Sequence, residues 1–456
     1  MNVLIAGEDV VGIRIAEKLM ETHKVVYLAE HELERLERLD VETVYGSATS
    51  PEQLRQAHAD EADLFVACTN SDEQNIVACI AAQRLGAKRT ICMLTRFSNR
   101  YGDDDIGLAE SLGIDSVVRP AEELADEIIR IVTVPGALDV AELAGGRVRL
   151  LSYAVEEGAP ITKAPLAEVN LPNNVNLVML RRDDTMMIPR GDTLVQPRDK
   201  VIAMGRSNQI RRLLWRFLRN RANATEKRTA TVVGAGTVGL AVVRGLEEAG
   251  FRVKVIEVDK ERCAAVAPQV KSLVLHGDGA DLDLLEQESI GESSVLVAVA
   301  NNDEKNLLVS LLAKQLGVRR TVTRADRLSN EIMFEKVGVD VVRSARGAVI
   351  RSVVRSADDS QAEIQAELEH GDARVIELKL PPHFVSTPLS ALRAPTFVHV
   401  GSILRRRQLI IPRGHDTLQA GDQLLLFCTR EDEEQVREFF LNVPATRRSI
   451  APSPSS

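Results

Sequence analysis

The chain writes one glycine-punctuated unit twice. GEDVVG at Gly7 to Gly12 and GAGTVG at Gly234 to Gly239 each follow a short β-rich run and open a helix-like stretch. An offset of 227 carries Gly7 onto Gly234 and, with no gap, Glu30 onto Glu257. Further on the offset becomes 231, which lays TNSDEQN (Thr69 to Asn75) on ANNDEKN (Ala300 to Asn306) and RLGAKRT (Arg84 to Thr90) on QLGVRRT (Gln315 to Thr321). Late in each half, IPRGDTL at Ile188 to Leu194 answers IPRGHDTL at Ile411 to Leu418. A repeat this long confines the fold: the 456 residues are two copies of a two-segment unit, not one large core.

Within a copy, strand-like and helix-like spacing alternate. NVLIAG and TATVVG are short β-rich runs, VGIRIAEKLM and VGLAVVRGLEEAG have helical spacing, and KVVYLA and RVKVIEV return to strand. Steady alternation predicts a parallel, doubly wound sheet with right-handed crossovers. The fold class is therefore α/β, with tandem Rossmann-like domains at 1–135 and 228–360. Each is followed by a small α+β module, at 140–220 and 370–441, in which Pro and Gly turns break short strands. RNRANATEKR, Arg219 to Arg228, reads as an exposed linker, and residues 442–456, ending APSPSS, as a disordered tail. A composition 45% apolar but only 3% aromatic suits Val/Leu/Ala-rich α/β cores.

A G-x-G-x-x-G between strand and helix turns tightly, lets the backbone approach a pyrophosphate and aims helix N-terminal amides at the anion. An acid about 20 residues on, ending the second strand, accepts hydrogen bonds from ribose hydroxyls. The second copy has the whole context: Gly234, Gly236 and Gly239, with Thr237 and Val238 between, and Glu257 ending VKVIE. The first copy, Gly7, Asp9, Val10, Val11, Gly12 and Glu30, lacks the middle glycine, and Asp9 puts a negative side chain where a pyrophosphate must approach. Ser47 stands where the second copy has Asp278, and Met93 where it has Arg324. The first pocket is expected to bind dinucleotide weakly or not at all, with Glu30 a relic; a different ligand there stays open.

Composition narrows the partners. A net charge of −9 gives no broad positive surface for nucleic-acid phosphates or anionic lipid, so neither is favoured. Five scattered cysteines with no C-x-x-C read as small buried hydrophobes in a reducing compartment. MNVLIAGEDVVG enters a strand at once, and no apolar run approaches the roughly 18 residues of a membrane span, which predicts a soluble, cytoplasmic protein.

These tandem glycine loops, the acid after the second strand, the GD of HGDGADLDLL, the NNDEKN loop and the paired small modules resemble the KTN/RCK regulators of potassium transport. The resemblance runs from Met1 to about Phe440. It implies RCK-N domains followed by RCK-C modules, with Asp278 by the adenine end, Arg324 paired with phosphate, and Asn301 and Asp303 in the loop bordering the ligand. Capping of the next helix is an equal reading for Asn301 and Asp303, and a surface ion pair is the plain one for Arg324. It further implies NAD, as NAD+ or NADH, or else ATP or ADP, as the ligand. The partner would be a membrane-embedded, TrkH/TrkG-like potassium transporter subunit, and the assembly a homo-oligomeric ring, a tetramer, on the inner face of the plasma membrane. No nucleic acid is implied.

Two other classes remain open: an NAD-dependent oxidoreductase, and a regulator of potassium efflux. An oxidoreductase needs a proton-transferring group near the nicotinamide. None of the eight histidines lies in such a setting, and the modules of about 70 residues are slight for a substrate site, so no catalytic residue is expected.

Overall fold

Six short Val/Leu/Ile/Ala runs form the first sheet of the computed structural model: β1 (Asn2–Gly7), β2 (Lys24–Ala29), β3 (Glu42–Tyr45), β4 (Leu64–Cys68), β5 (Thr90–Met93) and β6 (Ser116–Val118). All pairings are parallel, in the order β3-β2-β1-β4-β5-β6. The central strands are buried on both faces, which is why they read as continuous apolar runs instead of alternating ones. The structure describes residues 1–8, 10–95, 111–143, 148–183, 185–219, 228–358, 364–368, 373–392, 394–395, 398–406, 408–429 and 431–441.

The first small module follows with β7 (Ala137–Leu143), β8 (Val148–Ala154), β9 (Val175–Arg182), β10 (Thr185–Met187) and β11 (Lys200–Gly205), an antiparallel sheet ordered β10-β9-β11-β8-β7. The second repeat rebuilds the first sheet with β12 (Thr229–Val233), β13 (Arg252–Glu257), β14 (Leu273–His276), β15 (Val295–Ala298), β16 (Thr321–Arg324) and β17 (Val341–Arg343), ordered β14-β13-β12-β15-β16-β17. It closes with β18 (Ile364–Leu368), β19 (Ala373–Lys379), β20 (Thr387–Pro388), β21 (Val398–Arg405), β22 (Gln408–Ile410), β23 (Thr417–Leu418) and β24 (Gln423–Thr429). Both nucleotide-type sheets are doubly wound, as the alternation predicts.

The chain divides into two compact units, Met1–Thr133 with Lys227–Ala357, and Val134–Glu226 with Asp358–Ser456. In the first unit the repeats exchange their last helices. Helix Ala345–Asp358, which follows β17, sends Val349, Val353 and Ala357 into the core of the first sheet, beside Val11 and Ile15. Helix Pro120–Thr133, which follows β6, packs along helix Thr237–Glu248 of the second repeat. Gly245 lies where a Cβ would collide with Ile129, so the missing side chain lets these helices approach. One bond is made twice: Arg89 donates to the Ser356 carbonyl at 2.5 Å, and Arg320, its counterpart, donates to the Ile131 carbonyl at 3.2 Å.

The second unit joins the two modules through a shared core, with Leu150, Met179 and Met204 from one and Val375, Leu425 and Phe427 from the other. Each module buries one aspartate against one arginine: Asp199 with Arg182 at 2.8 Å, and Asp422 with Arg405 at 2.7 Å. Among the described residues no helix is long and apolar enough to cross a membrane, and no His/Cys/Asp/Glu group is arranged to hold a metal. Cys68, Cys79, Cys92 and Cys428 are buried thiols and Cys263 is half-buried.

Candidate nucleotide-binding site

The second glycine loop uses each glycine differently. Gly234 has φ +100°, and a Cβ there would press on the Ala300 backbone. Gly239 sits in the first turn of Thr237–Glu248, where a Cβ would run into the Gly234 carbonyl, so it sets how closely helix and strand approach. Gly236 caps the helix with φ −68°, an ordinary value, and its Cβ would meet only an Arg262 nitrogen at 3.9 Å. Its need for glycine therefore comes from the space in front of the helix and not from the backbone.

That space is a cavity of about 590 Å³. Ala235, Gly236, Thr237 and Val238 form its floor, Arg262, Asn301 and Arg324 bring polar groups to it, and Leu94, Thr95 and Pro120 to Glu122 of the other repeat form the opposite wall. The amides of the first helical turn have no intrahelical partner, so the floor offers donors and a positive dipole end.

Glu257 ends β13 and is 5% exposed. Its Oε2 accepts the Ala235 amide at 2.7 Å and its Oε1 the Asp259 amide at 3.0 Å, and each oxygen keeps a further lone pair. Asp278 accepts from the Lys305 ammonium at 2.7 Å and the Ala280 amide at 2.9 Å. Those two bonds, Lys305 first, hold its carboxyl below the usual carboxylate range. Arg324 donates to Asn301 and to Asp326, both at 2.8 Å, which fixes its guanidinium at the cavity edge.

Of these residues Asn301 and Arg324 line the cavity, while Glu257 and Asp278 do not; nor does Asp303. It is 9% exposed and accepts from the Asp326 amide and the Asn330 side chain, both at 2.8 Å. The cap of helix Asp303–Gln315 is Asn302, whose side chain accepts the Lys305 amide. Asp72 does in the first repeat what Asp303 does in the second, accepting the Thr95 amide at 2.8 Å.

The first loop is built on the same strand but differs in detail. A Cβ on Gly7 or Gly12 would crowd Cys68 Sγ and the Tyr27 hydroxyl, so both glycines serve close packing. Val10 and Val11 open helix Val10–Leu19; Asp9 lies outside the described residues. One expectation is corrected. β1 pairs with β2 as Ala6↔Leu28, whereas β12 pairs with β13 as Val233↔Ile256, and the next strand pairs Ala29↔Tyr45 against Glu257↔His276. The backbone position of Glu257 thus belongs to Ala29, and Glu30 lies one residue beyond, because the turn before β2 is one residue shorter. Glu30 instead approaches Glu8: burial first, then the charge of Glu30 and a hydrogen bond to it, push the Glu8 carboxyl up, with His31 and Asn70 opposing.

Other residues of the site carry no local motif. Asn306 accepts the Ala300 amide and donates to the Ala300 and Arg324 carbonyls, tying the ends of β15 and β16 together. Asn75 makes the same bonds to Thr69 and Met93. The recurrence of Asn75 and Asn306 at the 231 offset was the available signal. Thr95, Glu122, Arg262 and Gln269 had none.

Comparison with known proteins agrees with this architecture. The TrkA-N domain family matches residues 3–120 and 230–345, and the TrkA-C domain family residues 150–217 and 374–441. The Trk system potassium uptake protein TrkA homolog of Archaeoglobus fulgidus is 33% identical over 444 residues, covering 96% of this chain and all of that one. The Trk system potassium uptake protein TrkA of Haemophilus influenzae is 28% identical over 467 residues, covering 99% of each. Among solved structures, the GsuK channel superposes with a TM-score of 0.60 at 20% identity over 96% of this chain and 78% of its own. The GsuK RCK domain superposes at 0.58 and 20% identity over 96% and 94%. Those two likenesses carry the fold. With both domain types matched twice in order and relatives aligned end to end, the chain belongs to the TrkA family, two TrkA-N/TrkA-C repeats in one polypeptide.

Proposed function

We propose that this chain is the nucleotide-sensing regulatory subunit of a Trk-type potassium-uptake system and that its second glycine loop is the working site. The carrying observation is that the cavity above Gly236 has one wall from each repeat. A ligand seated there touches both, and so favours one arrangement of the repeats over another; that differential affinity is all a regulator requires.

In this reading Gly234, Gly236 and Gly239 shape the loop, the amides from Thr237 and Val238 face a pyrophosphate, and Glu257 takes ribose hydroxyls through its remaining lone pairs. Asp278 lies toward the adenine end, Arg324 and Asn301 face phosphate, and Asp303 supports the wall behind them. A free 2′-hydroxyl fits Glu257, so the ligand is NAD+, NADH, ATP or ADP, and NADP is disfavoured. Among the described residues lining the cavity there is no histidine, lysine, tyrosine or cysteine. In this reading the ligand acts by binding. The first pocket, where Glu8 and Glu30 bring two carboxyls together, repels a pyrophosphate.

The segments read from the sequence, 1–135 and 228–360 for the nucleotide fold and 140–220 and 370–441 for the small modules, need β7 (Ala137–Leu143) and β18 (Ile364–Leu368) added to the modules, whose sheets they join. The relatives' names place them in a Trk potassium-uptake system; this reading adds a membrane-embedded transporter subunit as partner and the chain as a cytoplasmic peripheral subunit in a homo-oligomeric ring. Calorimetry on the full chain with NAD+, NADH, ATP and ADP tests the site. Binding weakened at least about tenfold by Gly236→Asp is the expected result; undiminished binding after that change, or steady NADH turnover with keto acids, overturns it.

A further inference from the structure

The first small module ends in helix Ser207–Leu213, which runs on as one π-helical turn, Leu214–Leu218. Ile210, Leu213, Leu214 and Leu218 are buried in the module core. The opposite side presents Arg211, Arg212, Trp215 and Arg216, all exposed and spaced so that they share one face. None of these three guanidiniums has an ion-pair partner among the described residues.

Trp215 is the one tryptophan of the chain and is 38% exposed. Its ring rests on the Arg219 guanidinium, 4.6 Å from the ring centre. Arg219 is itself buried, its Nε 3.3 Å from Glu156, whose carboxylate also accepts the Tyr153 hydroxyl at 2.6 Å. The indole is thus held on a buried, charge-compensated platform with its other side toward solvent. A large aromatic that is both exposed and immobilised is poised for contact.

The other module supplies an internal control. The offset of 223 that lays the Arg182–Asp199 pair on Arg405–Asp422 carries Arg211, Arg212, Trp215 and Arg216 onto Glu434, Gln435, Glu438 and Phe439 of helix Glu433–Leu441. The same helix of the same fold is basic and aromatic in one module and acidic in the other. The basic face is therefore specific to one module.

We propose that the Arg211, Arg212, Trp215 and Arg216 face docks on an anionic phospholipid bilayer. Arginines beside an indole match a headgroup layer, where guanidiniums meet phosphates and Trp lies at the apolar boundary. The net charge of −9 does not forbid it, because at physiological salt charges are screened beyond roughly 8 Å and the nearest three set the local field. A nucleic-acid groove fits less well: three arginines on one short helix fall well below the roughly 6 to 10 phosphate contacts of a firm DNA complex. Whole-chain composition disfavoured lipid only because it averages this face with the acidic one. The inference does not depend on the nucleotide site.

Co-sedimentation of the full chain with vesicles of phosphatidylcholine, with and without phosphatidylglycerol, tests it. Binding is expected on phosphatidylglycerol vesicles alone, weakening with salt. Trp215 emission should shift to the blue, and because the chain has no other tryptophan that shift reports the face itself. Arg211→Gln, Arg212→Gln and Arg216→Gln together should weaken partitioning about 100-fold, with the circular dichroism and melting profile of the parent. Equal binding to neutral vesicles, or undiminished binding by the triple variant, overturns the proposal. So does a triple variant whose sedimenting mass falls while its lipid binding is unchanged, which would assign the face to the acidic helix of a second copy.

Discussion

The Arg351 guanidinium of the second repeat grips the Glu127 carboxylate of the first in a forked pair, Nε to Oε1 at 2.8 Å and Nη2 to Oε2 at 2.6 Å, across 224 residues of chain. Burial alone would push the Glu127 carboxyl up; Arg351, with Arg343 and Arg130 behind it, holds it below the ordinary range instead. This is the polar lock on the exchanged helices.

Arg351→Ala should therefore cost ~2 kcal/mol of unfolding free energy, because the buried carboxylate loses its forked partner and keeps only Arg343, at 3.9 Å, and the charge of Arg130. Urea unfolding measures it. Glu127→Gln on top of Arg351→Ala should return part of the loss, since a neutral amide is cheaper to bury than an under-compensated charge. A double-mutant cycle showing no coupling would mean that the apolar contacts of Val349 and Val353 hold the exchange without it.

Asp303 separates the two roles left open for the loop after β15. Its oxygens serve the Asp326 amide and the Asn330 side chain. Asp303→Ala should lower stability by ~2 kcal/mol through the orphaned donors and leave nucleotide affinity unchanged in calorimetry. A large affinity loss with unaltered stability would restore the direct-contact reading.

Doubly wound topology was legible because parallel strands buried on both faces leave continuous apolar runs between helical spacings, as in NVLIAG and DLFVAC. Glu257 was legible because it ends the strand that follows the helix opened by an intact glycine loop. Its counterpart was not: counting from Gly7 along the chain cannot register a residue dropped in the turn before β2, and only the Ala6↔Leu28 pairing reveals that Ala29 holds the place. An amphipathic pattern in helix Ala345–Asp358 says that one side is apolar without saying which sheet it covers, so the exchange was invisible. The far wall, Thr95 and Glu122, comes from more than 100 residues upstream of the loop it faces and has no local signature. The basic face at Arg211 was hidden by averaging.

Asp278 gives a pH dependence. Its folded carboxyl lies below the ordinary 3.8, held mainly by Lys305. A depressed carboxyl contributes stability that is present above its unfolded value and is lost as pH falls through the folded one. The stability gap between the parent and Asp278→Asn should thus be constant near neutrality and close as pH drops below about 4. Lys305→Ala should move the Asp278 midpoint upward in an NMR titration. A midpoint that stays put would mean that the Ala280 amide is the dominant partner.

The glycines of the second loop predict opposite outcomes for similar changes. At Gly236 a Cβ meets nothing but the end of Arg262, 3.9 Å away, so Gly236→Asp should leave the melting temperature nearly unaltered. It projects a carboxylate into the space where helix amides face the cavity, however, and a negative charge against a phosphate there is repulsive and displaces the close approach. Nucleotide affinity should drop at least about tenfold, or ~1.4 kcal/mol. At Gly239 the added carbon has no room, because it runs into the Gly234 carbonyl, so Gly239→Ala must push helix Thr237–Glu248 off its strand. That should cost ~2 kcal/mol or more of stability and lower affinity only as a consequence. Melting curves and calorimetry on the two variants together separate a glycine kept for its ligand from a glycine kept for its packing. Equal destabilisation by both, with affinity lost in proportion to stability, would remove the reason for calling Gly236 part of a binding site.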